Sequence, residues 1–371
     1  MRKVKVPFVD LKSQYRSIKP GIDSAITSVV EDAAFVGGKY VETFERQFAE
    51  MCGCRHAVGV SSGTSALHLA MVALGIGPGD EVITVANTFL ATTEAVTHAG
   101  ARFRLVDMKD ETFNIDVGAI RKAITPKTKA IIPVHLYGQM AEMDAIMDLA
   151  ARRGLAVIED ACQAQGAQYK GKRAGAWGNA AGFSFYPAKN LGAYGDAGAV
   201  TTDDEAVAAR VRLYANHGRR SANDHAVEGF NARLDGIQAA VLSAKLPHLE
   251  RWNQARHDAA ARYERLLAGL NVVLPRQMPG AKHIYHLYVI RVKDRDRVKA
   301  ELESKGVGCG LHYPIPLHLL DAYRKLGLGP GSFPATEAAA REILSLPMYA
   351  EITEEQQRYV ADCLRDAVGE A

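Results

Sequence analysis

Long apolar runs are missing from this 371-residue chain. None approaches the ~20 residues that a membrane-spanning helix needs. The opening MRKVKVPFVDLK has basic residues but no apolar stretch behind them, so it does not read as a secretory signal. The expected compartment is the cytoplasm, with no membrane partner. Charge of one sign is also scarce. A net charge of +3 is too small to argue for nucleic acid or an anionic surface. The five cysteines, Cys52, Cys54, Cys162, Cys309 and Cys363, are odd in number and scattered, which argues against a disulfide framework. Cys52 and Cys54 form a C-x-C pair, but no second pair or His cluster joins them, and no metal is expected. No G-x-G-x-x-G follows the first strand–helix turn, which argues against a nicotinamide dehydrogenase. GAQYKGK (166–172) fits the first seven positions of a phosphate-binding P-loop. Arg173 then stands where a Ser or Thr should bind magnesium, so the stretch reads as a turn between short strands.

What is present is an ordinary globular composition, 48% hydrophobic and 23% charged, in a chain long enough for two domains. From residue 56 strands and helices alternate. HAVGV, DEVITV, ARFRLVD, AIIPVHL and LAVIED read as strands, with helical patterns between them. Such alternation predicts an α/β fold with a mostly parallel sheet. AAGFSFY and AGAVTT continue the strands. After residue 203 the pattern is mostly helical, including a long run over 234–270. A smaller α+β part follows, with strand HLYVIRV, helix RDRVKAELESKG, strand VGCGLHY and helix PATEAAAREILS. The expected division is a large domain over 1–245 and a small C-terminal domain over 246–371.

In an open parallel sheet, ligands bind beyond the carboxyl ends of the strands. HAVGV is followed there by Ser61, Ser62, Gly63, Thr64 and Ser65, which is either a plain helix N-cap or a seat for phosphate. DEVITV leads to Phe89, either a core ring or the cover of a flat ligand. LAVIED ends on Asp160, with Gln163 just beyond; the acid either caps the next helix or meets a cation. AAGFSFYP leads to Lys189, set among Gly and Ala with no acidic neighbour before Asp196. A phosphate seat, an aromatic cover, an aspartate and a desolvated lysine together describe a pyridoxal phosphate site. The carboxylate keeps the pyridine nitrogen protonated, and the neutral amine forms the Schiff base.

The chain also resembles the DegT-type nucleotide-sugar aminotransferases, a family of fold-type I pyridoxal phosphate enzymes. The resemblance rests on FVDLKSQY, SSGTSAL, GPGDEVIT, AITPKTKAIIPVHLYGQ, VIEDACQAQGAQYKGKRAG, SFYPAKNLGAYGDAGAV, GFNARLDGIQAA, HYPIPLH and SLPM, in family order over nearly the whole chain. It implies a three-layer, aspartate-aminotransferase-like large domain. It implies Lys189 as the Schiff-base and proton-shuttling lysine, Asp160 at the pyridine nitrogen, and Gln163 at the ring hydroxyl. Phe89 would stack on the ring, and Gly63, Thr64 and Ser184 would hold the phosphate. Asn231 would reach the phosphate from a neighbouring subunit, which implies a homodimer with shared sites. Arg233, His312 and Tyr313 would contact the nucleotide-sugar. The implied substrates are glutamate and a keto-sugar linked to dTDP or UDP, with pyridoxamine phosphate formed between the two half-reactions. HYPIPLH resembles members acting at C3. A C4 aminotransferase and a cofactor-binding sensor are the alternatives.

Overall fold

The computed structural model describes residues 5–369, so the outermost residues of the two expected domains lie outside the description. Two helices come first, α1 (Leu11–Glu31) and α2 (Lys39–Cys52). The sheet-forming part runs β1 (His56–Val60), α3 (Gly63–Ala73), β2 (Glu81–Val85), α4 (Leu90–His98), β3 (Arg102–Val106), α5 (Val117–Ala123), β4 (Thr128–Ile132), α6 (Met143–Arg153) and β5 (Ala156–Asp160). A hairpin of β6 (Gln168–Tyr169) and β7 (Lys172–Arg173) follows, placing the P-loop-like stretch in a turn. Then come β8 (Ala180–Ser184), β9 (Gly198–Thr202), α7 (Glu205–Ala215), a small hairpin of β10 (Arg219–Ser221) and β11 (Asp224–His225), and α8 (Gly236–Lys245). Seven strands form one sheet in the order β1-β9-β8-β5-β4-β2-β3. Only β9 runs against its neighbours.

The alternation of side chains along each strand builds three layers. Val58, Val82, Ile132 and Ile158 face α3, α4 and α7, packing on Leu67, Val96 and Val211. Their neighbours Ala57, Ile83, Ile131 and Val157 face the other way, toward Phe44 and Phe48 of α2 and Ile146 of α6. Full burial of each such aromatic or aliphatic side chain contributes about 1.5–3 kcal/mol.

The C-terminal part comprises α9 (Leu249–Leu266), β12 (Ala281–Lys282), β13 (Tyr288–Arg291), α10 (Arg295–Ser304), α11 (Pro334–Glu342), β14 (Ile343–Leu346) and α12 (Glu354–Val368). Three details differ from the sequence reading. The run over 234–270 is two helices, because Pro247 lies in a short 3-10 turn, Leu246–His248, between α8 and α9. VGCGLHY (307–313) is not a strand; it makes only isolated bridges, Val307 to Val6 and Gly310 to Ser345. The helix expected over 334–345 stops at Glu342, and Ile343–Leu346 pairs antiparallel with β13. Burial of Leu344 and Leu346 in the second core favours the extended form there over continued helix.

The same alternation separates two adjacent acids on β5. Asp160 falls on the α4 side, whereas Glu159 points to the opposite face and is fully buried. Glu159 Oε1 accepts the Trp177 and Gly178 N–H groups, and Oε2 accepts the Gly175 N–H and His135 Nε2. His135 Nδ1 accepts from the Ala141 N–H, which places the ring proton on Nε2. Burial would raise the Glu159 pKa, but these donors overcome it and hold the carboxyl below the ordinary 4.5. A depressed carboxylate stabilises the fold fully above the unfolded value, and that contribution is lost as pH falls through the folded one. Glu159→Gln turns one acceptor oxygen into a donor facing donors. We expect a loss of about 2–5 kcal/mol, read as a lower urea midpoint at neutral pH.

Candidate active site

The carboxyl ends of β1, β2, β5 and β8 converge on a cavity of about 350 Å3, within the usual range for a small-molecule site. Gly63, Thr64, Phe89, Asp160, Gln163, Ser184, Lys189 and Tyr313 all line it. A wider hollow of about 600 Å3 lies against Asp110, His257, Arg276 and Tyr285, but no strand-end lysine and acid meet there. Chemistry rather than size selects the site.

Asp160 ends β5 almost fully buried. The Thr92 hydroxyl donates to its Oδ2 at 2.7 Å, and the Cys162 N–H donates to Oδ1 at 3.2 Å. Thr88 and Thr92 are 2.9 Å apart. Since Thr92 spends its one hydrogen on Asp160, Thr88 donates to Thr92. Lys189 is half-buried in the turn after β8, where the surrounding protein lowers its pKa from 10.5, opposed by Cys162 and Asp160. Its neighbour Cys162 is pushed well up by burial, so it stays a thiol beside the amine. Gln163 Oε1 accepts the Tyr137 N–H at 2.7 Å, and its Nε2 donates to the Tyr313 hydroxyl at 3.2 Å. These two bonds fix the amide orientation and leave the second Nε2 hydrogen for the cavity.

The N-terminus of α3 opens onto the same space. Ser62 caps it, its hydroxyl accepting from the Ser65 N–H at 3.1 Å. Gly63 and Thr64 occupy the first turn, where a helix has no carbonyl to offer their N–H groups. A Cβ on Gly63 would lie 2.7 Å from Ser184 Cβ and 2.8 Å from Cys162 Sγ. Phe89 is not core. It is 55% exposed, with its ring 5.5 Å from that of Tyr313.

This donor set fits pyridoxal phosphate: free helix-start N–H groups for a dianion, a buried carboxylate for a ring N–H, and an amine whose pKa burial lowers for an aldehyde. The chemistry needs no metal. Among the described residues, no group of three or more His, Cys, Asp or Glu could hold one.

His312 lies beside a smaller chamber of about 150 Å3, which shares Lys189, Gln163 and Tyr313 with the main cavity. Burial and the nearby Lys189 charge push its pKa down to about 4, and its ring stacks on Phe8 at 5.6 Å. Asn231 and Arg233 do not join the cavity lining given by their own chain. Asn231 is exposed and bridges Asn216, while Arg233 donates to the Asn216 side chain at 2.9 Å. Sequence reasoning missed Thr92. The signal was there in NTFLATT: hydroxyls at positions 88 and 92, four apart, beside a strand end.

Fold and site together define a pyridoxal phosphate-dependent aminotransferase. The model of the DegT/DnrJ/EryC1/StrS aminotransferase family matches residues 16–365, and the chain belongs to that family. It is 44% identical to the dTDP-3-amino-3,4,6-trideoxy-alpha-D-glucose transaminase of Streptomyces venezuelae, over 98% of this chain and 96% of the relative. It is 48% identical to a "pleiotropic regulatory protein" of Geobacillus stearothermophilus, over 96% and 97% of the two chains. Among solved structures, S. venezuelae DesV in complex with a ketimine intermediate superposes with a TM-score of 0.97, at 43% identity and with 99% of both chains covered. Among the described residues no helix is long and apolar enough to cross a membrane.

Proposed function

We propose that the protein moves an amino group from glutamate to the C3 ketone of a hexose carried on dTDP or UDP. The observation that carries this reading is the meeting of Lys189, Asp160 and the α3 N-terminus at one cavity. The 3-amino-sugar transaminase named above supports the choice of carbon. When bound, pyridoxal phosphate supplies an aldehyde and a protonated ring that takes up the electrons released from the substrate carbon. Lys189 Nζ, its proton loosened by desolvation, is the base that takes the Cα proton of the donor. Asp160 would hold the ring nitrogen protonated, and Thr92 and the Cys162 N–H keep its carboxylate in place. Gly63, Thr64 and Ser184 would hold the phosphate. Gln163 Nε2 would meet the ring hydroxyl, and Phe89 would cover a ring face. His312, Tyr313 and Arg233 belong to the sugar-nucleotide side.

A homodimer with shared sites completes this reading. Phe35, Val36 and Tyr186 are large apolar side chains about half exposed or more. Asn231, outside the cavity lining given by its own chain, is free to serve that of a second copy.

The test has two halves. Glutamate alone should bleach the yellow holoenzyme and release 2-oxoglutarate in proportion to active sites. A panel of dTDP- and UDP-linked 3-keto and 4-keto hexoses, scored by mass, should then show an amine preferentially on a 3-keto substrate. Cofactor binding without release of 2-oxoglutarate would overturn this reading.

A further inference from the structure

Lys245, the last residue of α8, has no part in that chemistry, yet its side chain is fully buried. A buried ammonium is costly unless its charge is met. Here the partners are unusual. Nζ donates to the Gly192 carbonyl at 2.7 Å and lies 4.2 Å from the centroid of the Tyr194 ring. Glu351 is the acid whose charge acts on it, at longer range, and burial still lowers the Lys245 pKa to about 8. Gly192 and Tyr194 belong to the single loop between β8 and β9, and that loop carries Lys189.

We infer that Lys245 is a positioning residue for Lys189, a staple that holds the catalytic loop in one conformation. The loop transmits the constraint because it is tightly wound. The Lys189 N–H donates to the Tyr186 carbonyl and the Ala193 N–H to the Phe185 carbonyl, both at 2.8 Å. Gly192 sits so close over Pro187 that a Cβ would collide with the Pro187 carbonyl. The Gly192 backbone therefore packs directly on the stem of the Lys189 turn.

Other polar groups hold the rest of the loop. Asn190 Nδ2 donates to Asn253 Oδ1 at 2.8 Å, and Gln238 Oε1, also from α8, accepts the Tyr194 N–H at 2.8 Å. Lys245 is the charged member of this set. Its ammonium is satisfied only while the carbonyl and the ring are in place, so loop opening strands it. α8 packs on α1 and α2, which makes it a firm base for the staple.

The test compares Lys245→Met with wild type. Amide hydrogen exchange, measured on protein as purified, should show protection at Lys189 and Ala193 falling about tenfold. In the reconstituted holoenzyme, the pH midpoint of the visible absorbance of lysine-bound cofactor should shift. kcat should fall about 10- to 100-fold while KM for the keto-sugar nucleotide changes less than about twofold. A lower melting temperature with unchanged exchange, unchanged titration and unchanged kcat would overturn the inference and leave Lys245 a plain core residue. If K245M does not fold, Tyr194→Leu replaces it. Tyr194 reaches the surface, and loss of its ring should move the same readouts the same way by less; unchanged protection there overturns the staple. The kinetic readouts rest on the proposed function, whereas the exchange readout does not. A wild type without transaminase activity would therefore fail that function while the loop test still stood.

Discussion

Lys189→Ala should lose turnover by on the order of 10^4-fold or more, the scale of losing a catalytic nucleophile. The size follows from the two duties proposed for the amine, anchoring the cofactor and moving the Cα proton. Among the described residues, no other lysine lines the cavity to take either over. Cys162 is close, but burial keeps it a neutral thiol. Borohydride gives a readout independent of turnover. In wild type it should fix the cofactor covalently to the chain, seen as a mass increase on the peptide carrying residue 189. In K189A the cofactor should dialyse away after the same treatment. The phosphate seat at Gly63 and Thr64 is untouched, so the variant should still bind cofactor reversibly. A small alkylamine added to the buffer should restore a fraction of the rate by supplying the missing base. The sign of the pH effect in wild type follows from the depressed lysine pKa: the neutral amine is present at lower pH than for a lysine in water. A K189A enzyme with wild-type turnover would remove this lysine from the chemistry.

How much of this was legible beforehand varies with the range of the interactions. The central strands β1, β2, β4, β5, β8 and β9 alternate side chains between two largely buried faces, and that pattern lies in the order of residues. Lys189 and Asp160 were readable because a strand end places each of them, and strand ends are local features. For Thr92 the 88/92 spacing marks a hydroxyl pair but not its partner, a residue 68 positions away. Lys245 was hidden more thoroughly. At the end of a helix a lysine reads as an ordinary dipole partner in solvent. Only the packing of the β8–β9 loop against α8 shows it to be buried. Ile343–Leu346 was misread for the same reason, because the register with β13 that turns it into a strand comes from residues more than 50 positions earlier.

Asp160→Asn tests the other half of the site, and the carboxylate's surroundings set the expected size. Thr92 donates to Oδ2 and the Cys162 N–H to Oδ1, so protein donors already orient both oxygens. An asparagine must present its NH2 group to one of these donors or to the ring nitrogen. In the first case a buried bond is lost. In the second a donor faces the position where the ring proton belongs. Neither arrangement supplies a negative charge, so the ring nitrogen is no longer held protonated and electron withdrawal from the substrate carbon weakens. Loss of one preorganised electrostatic partner in a desolvated site typically costs about 10²–10³ in kcat. Loss of the charge as well places the expected drop for D160N at the upper end of that range. Cofactor retention should survive, because Lys189 and the phosphate seat remain. Thr92→Val keeps the charge but frees the carboxylate to turn, and should lower kcat only about tenfold. A cofactor analogue methylated on the ring nitrogen carries a permanent positive charge and needs no proton there. It should raise the rate of D160N relative to the natural cofactor and should not raise that of wild type. Equal rates for D160N and wild type with the natural cofactor would show that the ring nitrogen takes its charge from elsewhere. The buried pairing of Thr92 with Asp160 would then have to be explained by stability alone.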